Sequence, residues 1–338
     1  MKLSLFSTLR GYRKEYLPKD IFSGIIIAAV SIPISMGYAQ ISGIPAVYGL
    51  YGSVLPILLF ALFSTSRQFI FGVDAAPAAI VGGALSTLSI AAESEAAMDY
   101  VPAIALFAGL WLFIFFLLHA DKIVDFISTP VMGGFISGIA VTIILMQIPK
   151  LMGSPAGSGE LLELTEHIFA AAKNISWLSL FMGLGTLVLI RTFKKLAPKF
   201  PMAIVIMALG VLSTIVFHVD EKGVVLLQSV ERGLPSLMIP DFGNVDLTQA
   251  AGRGLMVAVV IMAETLLAEN TFAFRNDYKL NDRQEILACA AGNIAASLVG
   301  CCPVNGSISR TSMNDQYGGR TQAVSIVAGL SMAALLLF

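Results

Sequence analysis

The chain has 338 residues, of which 57% are hydrophobic and 13% charged, with a net charge of −1 and a mean hydropathy of +0.83. A soluble domain carries about 25% charged residues, so the composition excludes an ordinary soluble protein and points to an all-α integral membrane protein with the lipid bilayer as its solvent. A net charge so close to neutral gives no support to a nucleic-acid partner.

The start, MKLSLFSTLRGYRKEYLPKD (residues 1–20), has no short apolar run followed by a small-residue cleavage site, so it is not a signal peptide. It reads as a basic, amphipathic, cytoplasmic lead-in. A span needs about 20 mostly apolar residues to cross ~30 Å of hydrocarbon. On that criterion the predicted spans are 21–40, 46–64, 76–91, 101–120, 130–149, 176–193, 200–218, 250–273, 284–299, 305–318 and 321–338. Segments 76–91 and 305–318 are short and irregular; the others read as ordinary membrane helices. With the N-terminus inside, fifteen of the 21 Lys and Arg residues fall on the inner side, Lys2 and Lys199 among them, and five on the outer side. Only Arg310 lies away from a span's edge; Arg191 and Arg253 fall within the last and first four residues of theirs. That bias predicts a cytoplasmic N-terminus in a multi-pass protein, and it requires 76–91 and 305–318 to cross in opposite directions.

Non-helical backbone at membrane depth is tolerated only where it is buried in protein or lines a watery cavity. GVDAAPA (72–78) and GCCPVNG (300–306) both read so: a Gly, then a Pro, then a helix-compatible run. Pro suits the first turn of a helix because that turn's N–H has no partner to lose. Each helix is expected to begin inside the membrane after a short extended stretch. Two half-helices of opposite direction aim their N-termini at one point, and each brings free N–H groups and about half a positive charge. Paired interrupted segments in corresponding halves mark a transporter's substrate site. Arg310 would strengthen an anion site there, with Ser307, Arg310 and Asn314 sharing one helix face.

Glu264 lies midway between Arg253 and Arg275, which at ~1.5 Å per residue places it near the bilayer centre, where an ionisable group is costly and functional by default. Glu269, only six residues from Arg275, reads as a solvated residue at the inner interface. Ser31, Ser35 and Tyr38 fall on one face of the first span, which either lines a polar cavity or supplies interhelical hydrogen bonds. GGFISG (133–138) and GLG (183–185) read as close helix packing. Cys289, Cys301 and Cys302 make no CxxC, and His119, His167 and His218 sit near span ends, so neither metal nor cofactor is expected. The chain has no catalytic signature of the G-x-S-x-G, H-E-x-x-H or Walker type, and so does not read as an enzyme.

SIPISMGYAQISGIPAVYGLY (31–51), FGVDAAPAAIVGGA (71–84) and the long block from Glu264 to Gln322 resemble the SulP family of anion transporters, called SLC26 in animals. The resemblance implies an inverted seven-segment repeat, the UraA/SLC26-like fold, in which substrate binds between half-helices beginning here near Ala76 and Asn305. It assigns residues 21–120 and 250–338 to a core domain (segments 1–4 and 8–11) and 121–249 to the first-repeat part of a gate domain and an outer loop. The rest of the gate and a cytoplasmic STAS domain are expected to be absent, as in a truncated product. The expected substrate-binding residues are Ala76, Ala78, Ala79, Asn305, Gly306, Ser307, Ser309, Arg310, Ser35 and Tyr38, with Glu264 as the coupling residue.

The sequence departs from the family at two informative places. Ala76-Pro77-Ala78-Ala79 stands where many members have Gly-Pro-Ser/Thr-Ala, so a hydroxyl is lost while backbone donors remain. Ala268 stands where a sodium-coupled branch has a threonine that helps bind sodium, which favours a proton or no cation. A fixed cation at Arg310, facing Glu264, either neutralises that acid or helps hold a divalent anion. The expected function is secondary active transport of a small inorganic anion, first sulfate, by an elevator-type alternating-access mechanism in the plasma membrane (a bacterial inner membrane), with proton coupling and, by resemblance, as a homodimer. Bicarbonate, dicarboxylate or chloride transport are alternatives, as is a transport-inactive truncated scaffold. A nucleobase permease shares the fold, but Arg310 suits a neutral ring poorly.

Overall fold

The computed structural model describes residues 5–124, 129–155, 157, 161–196, 202–226, 230, 232–243 and 245–338. Lys2, Lys199 and the first two residues of the predicted span 200–218 lie outside them. The described residues are mostly helical, and the chain divides into two compact units, Met1–Ser137 with Val230–Phe338, and Gly138–Ser229.

The first unit opens with two short 3-10 turns and the long helix α1 (Leu17–Ile41). The predicted span 46–64 is not one helix: it divides into α2 (Ala46–Tyr51) and α3 (Leu55–Phe63). Pro56 has no N–H for the Gly52 carbonyl, and the Ser53 hydroxyl bonds back to the Gly49 carbonyl at 2.9 Å, so the helical pattern is interrupted there while Ala46–Phe63 remains one apolar span. Then come β1 (Phe71–Gly72), α4 (Ala75–Thr87), α5 (Glu95–Leu118) and α6 (Asp121–Val124). Helix α7 (Thr129–Leu151) passes into the second unit, which continues with α8 (Leu161–Lys173), α9 (Trp177–Leu196) and α10 (Met202–Phe217). The first unit resumes with α11 (Leu247–Arg275), α12 (Asp282–Leu298), β2 (Asn305–Gly306), α13 (Ile308–Tyr317) and α14 (Ala323–Leu337). Among the described residues, four stretches are long and apolar enough to span alone: Lys14–Ile41, Ala46–Phe63, Glu95–Leu118 and Leu247–Arg275.

In the second unit α9 and α10 pack on each other, and α8 meets Trp177–Phe193 at a 118° bend. Gly133, Gly134 and Gly138 do not serve close packing as expected: a Cβ added at any of them would meet nothing within 4 Å. Of the second run, Gly183 does lie against Leu151, whereas Gly185 faces open space.

In the first unit α12 packs against α5 and α3, α11 against α5, and α1 against α14, α2 and α13. The core runs continuously from Phe60, Phe69 and Phe71 to Ile104, Ile261, Ile286 and Val304. The Phe60 and Phe71 rings stack with centroids 4.4 Å apart. Burying such aromatics excludes water around the two short strands, and that burial is the main favourable contribution to their placement.

Candidate functional site

Helices α4 and α13 have 13 and 10 residues, about 20 and 15 Å, too short to cross the hydrocarbon. The extended chain before each is paired: β1 and β2 run antiparallel, with Phe71 opposite Gly306 and Gly72 opposite Asn305. Residues 305 and 306 are therefore strand. The second half-helix starts at Ile308 with Ser307 at its N-cap, three residues later than the sequence implied, while the first starts at Ala75 with Asp74 at its N-cap.

Extended backbone buried at this depth needs partners for its polar groups, and side chains supply them. Thr311 Oγ1 accepts from the Ile70 N–H at 3.0 Å, Asn314 Nδ2 donates to the Gln68 carbonyl at 2.7 Å, and Gln322 Nε2 donates to the Ser66 and Phe69 carbonyls at 2.8 and 2.9 Å. The Ser307 N–H reaches the Ile70 carbonyl at 2.8 Å. On the other strand, Asn293 holds Val304 by both its N–H and its carbonyl at 3.0 Å. Two glycines permit the close approach. A Cβ on Gly72 would lie 3.1 Å from Arg310 Nη1, and one on Gly306 would lie 1.9 Å from Phe69 Cε1.

Arg310 is 1% exposed. Its Nη2 donates to the Val73 carbonyl at 2.7 Å and lies 3.7 Å from Asp74 Oδ1; its Nη1 donates to Ser31 Oγ at 3.3 Å, and its Nε has no partner. The ion partner of Arg310 is thus Asp74, not Glu264, which corrects the expectation that the cation faces that glutamate. The forked donors are engaged with protein groups, so the cation acts on the helix N-termini from a buried position. Glu264, 8% exposed, instead accepts from Asn305 Nδ2 at 2.7 Å, and Asn305 Oδ1 accepts from Thr265 Oγ1 at 2.7 Å. Strand β2 thereby ties the acid of α11 to the ribbon.

The remaining expected residues fall in different places. Tyr38, half-buried, lies within electrostatic reach of Asp74, Arg310 and Glu264. Ala76 and Ala78 are buried in the first turn of α4, Ala79 is half-buried and Ser309 is exposed. The Ser309 hydroxyl meets that of buried Ser307 at 3.3 Å. Ser35 is directed to packing: its hydroxyl bonds Ser53 at 2.8 Å, where α1 meets α2 and α3. Sequence reading missed Asp74 and Thr265. An acidic residue directly before a helix start is an N-cap signal, and it marks Asp74.

Glu269 is not solvated: it is fully buried beside Glu285. Glu285 accepts from Ser64 Oγ at 2.7 Å and from the N–H and hydroxyl of Thr65, so the turn after α3 closes over both acids. The cysteines are free and buried, and His119 and His167 are exposed. No group of three potential metal ligands occurs among the described residues.

Residues 17–338 match the model of the sulfate permease family. The chain is 28% identical over 319 residues to a probable sulfate transporter of Mycobacterium tuberculosis, covering 94% of this chain and 57% of that one. It is 30% identical over 345 residues to the chloroplastic sulfate transporter 4.1 of Arabidopsis thaliana, covering 98% and 50%. The chain thus spans about half the length of these curated relatives. Its fold is similar to that of the transmembrane domain of the cyanobacterial bicarbonate transporter BicA, with a TM-score of 0.84 at 21% identity over 96% of this chain and 84% of that one. It is also similar to that of SLC26A9, with a TM-score of 0.85 at 19% identity over 97% and 55%.

Proposed function

Because the chain belongs to the sulfate permease family, we propose that it forms the substrate-binding part of a secondary anion transporter with sulfate as its first substrate. The observation that carries this reading is the paired half-helices: α4 and α13 follow the two strands of one ribbon, with Arg310 in the first turn of α13 and against the start of α4. Residues 21–120 and 250–338 then act as the core that carries the anion, and 121–249 as part of the gate. The N-terminus lies inside, and the protein works as a homodimer in the plasma membrane.

Charge arithmetic supports proton coupling. Arg310 is balanced by Asp74, and the two helix N-termini contribute roughly one positive charge in total. With Glu264 ionised the site is close to neutral, and a dianion adds two negative charges in a low dielectric, which is costly. A proton on Glu264 removes one of them, so proton and sulfate bind together. Ala268 leaves no hydroxyl for sodium at that turn. Bicarbonate is the second reading, favoured by the fold likeness to BicA.

Labelled sulfate counterflow in proteoliposomes, run against unlabelled sulfate, bicarbonate, dicarboxylate and chloride, tests the substrate. Glu264→Gln is expected to abolish uptake driven by an inward proton gradient while leaving counterflow measurable. Uptake that needs sodium and ignores pH would overturn the coupling, and no counterflow with any anion would overturn the transport reading.

A further inference from the structure

A second basic site, distinct from Arg310, is a cavity of about 300 Å³ lined by Tyr16, Lys19, Arg67, Gln68, Asn276 and Arg320, where the chain leads into β1. Three separated stretches of chain contribute its cations: the start of α1, the turn after α3, and the turn between α13 and α14. Among the described residues, no carboxylate lines it. Asp20, next to Lys19, is buried and accepts from Tyr12 Oη, the Arg320 N–H and Thr321 Oγ1 at 3.2, 2.7 and 2.7 Å. Asp315 pairs with Arg275 at 3.6 Å. Among the described residues, no salt bridge joins Lys19, Arg67 or Arg320 to an acid. The Arg67 guanidinium is steadied over the Tyr278 ring, 5.4 Å from its centroid. Gln68, 2% exposed, lines the cavity with its side-chain Oε1 unpartnered. Cations converging from three elements, with no acid facing them, favour an anionic ligand.

The surroundings say which anion. Lys19 sits on α1 beside Leu17, Ile21, Phe22 and Ile25, which are 48, 39, 56 and 53% exposed. Phe22 packs edge-on against Tyr317 at the end of α13, and a Cβ on Gly318 would meet the Lys19 stem at 3.5 Å. The basic cavity and an apolar, outward helix face are therefore continuous. A soluble anion has no use for that face, whereas a lipid places its phosphate in the cavity and its acyl chains along α1. Basic pockets between helices at the membrane surface recognise acidic headgroups in this way.

We propose that this cavity binds the phosphate headgroup of an anionic phospholipid, holding the start of α1 and the α13–α14 turn at the membrane surface. The inference is independent of the substrate assigned above; the proposed inside N-terminus only names the leaflet as the inner one.

The test is retention of phosphatidylglycerol against phosphatidylcholine by the purified chain in neutral detergent, read by native mass spectrometry and by titration with labelled lipid. Phosphatidylglycerol is expected to bind preferentially. Lys19→Gln, Arg67→Gln and Arg320→Gln should each weaken it by roughly fivefold, and the triple variant by roughly a hundredfold. A control triple of the same charge change, Lys122→Gln with Lys173→Gln and Lys222→Gln, should leave it within about twofold, the remaining effect being long-range and screened. Equal retention of the two lipids, or equal losses in the two triples, would overturn the proposal. So would displacement of the lipid by inorganic phosphate at equal concentration, which would mark a free-anion site.

Discussion

Replacing Arg310 with Gln removes a cation that is 1% exposed and lies 3.7 Å from Asp74 Oδ1. Two unit charges at that separation attract by about 4 kcal/mol at an effective dielectric of 20. Losing one partner of a fully buried pair costs ~3–5 kcal/mol. The Asp74 side chain keeps 14% of its surface, so water offsets part of that, and the expected loss of stability is about 2–3 kcal/mol. Roughly 1 kcal/mol of it comes from the Val73 carbonyl left without its donor. Asp74→Asn removes the same attraction, so the double variant should lose ~1–2 kcal/mol less than the sum of the singles, as groups in direct contact do. Arg310→Gln combined with Glu264→Gln should be additive within ~0.5 kcal/mol, because those side chains have different partners. Unfolding midpoints in one detergent at one salt concentration measure both cycles. Sulfate binding by the same proteins separates structure from function: Arg310→Gln removes a positive charge beside the helix N-termini and should weaken it about 5- to 100-fold, and adding Asp74→Asn, which returns the site to its original net charge, should recover part of that loss. Additive losses for Arg310 and Asp74, or coupling of Arg310 to Glu264 instead, would refute this reasoning.

Gly306→Ala places a methyl 1.9 Å from a carbon of buried Phe69 and should cost ~1–3 kcal/mol by overpacking, seen as a lowered unfolding midpoint; a wild-type midpoint would mean the ring is not seated against the strand. Glu269 abuts Glu285 and shares a side-chain hydrogen bond with it, so Glu269→Gln, which keeps an N–H donor to that neighbour, should leave the unfolding midpoint within about 1 kcal/mol of wild type, whereas Glu269→Ala should lower it by more; equal losses for the two variants would contradict it. Burial, followed by the Asp20 carboxylate and its hydrogen bond, pushes the Tyr12 phenol from 10.0 up to about 12. The folded state then holds that proton more tightly, so the contribution is complete below about pH 10 and lost as pH rises through 12. The tyrosinate absorbance difference between wild type and Tyr12→Phe should titrate near pH 12, and a midpoint at 10 would show that the contact with Asp20 does not form.

Glu264 stood out in the sequence because an ionisable residue midway along an apolar run is costly at that depth, and Arg310 because it falls inside a short polar segment between apolar ones. The half-helices were legible for a related reason: Pro and Gly punctuate runs otherwise long enough to span. Strand pairing was not legible, since two residues such as Phe71–Gly72 carry no periodicity and their partner lies in the other half of the chain. The same separation hid the Arg310–Asp74 contact. Glu269 was misjudged because distance along a helix measures depth but not cover, and its cover is the Ser64–Thr65 turn. The interruption within 46–64 is written in the sequence as Pro56, which cannot donate to the Gly52 carbonyl.

The ribbon also sets a schedule for biosynthesis. Phe71 pairs with Gly306, so about 235 residues must be made after β1 before its partner exists. At roughly 5–20 residues per second, that is a wait of about 12–47 seconds. Throughout it the peptide groups of residues 66–72 lack Asn314, Gln322, Thr311 and β2, all of which emerge late. Bare peptide groups do not rest in hydrocarbon, so β1 and α4 stay at a hydrated boundary until the second strand arrives. The first repeat is thus threaded early but seated late, and its final insertion belongs to the last steps of assembly.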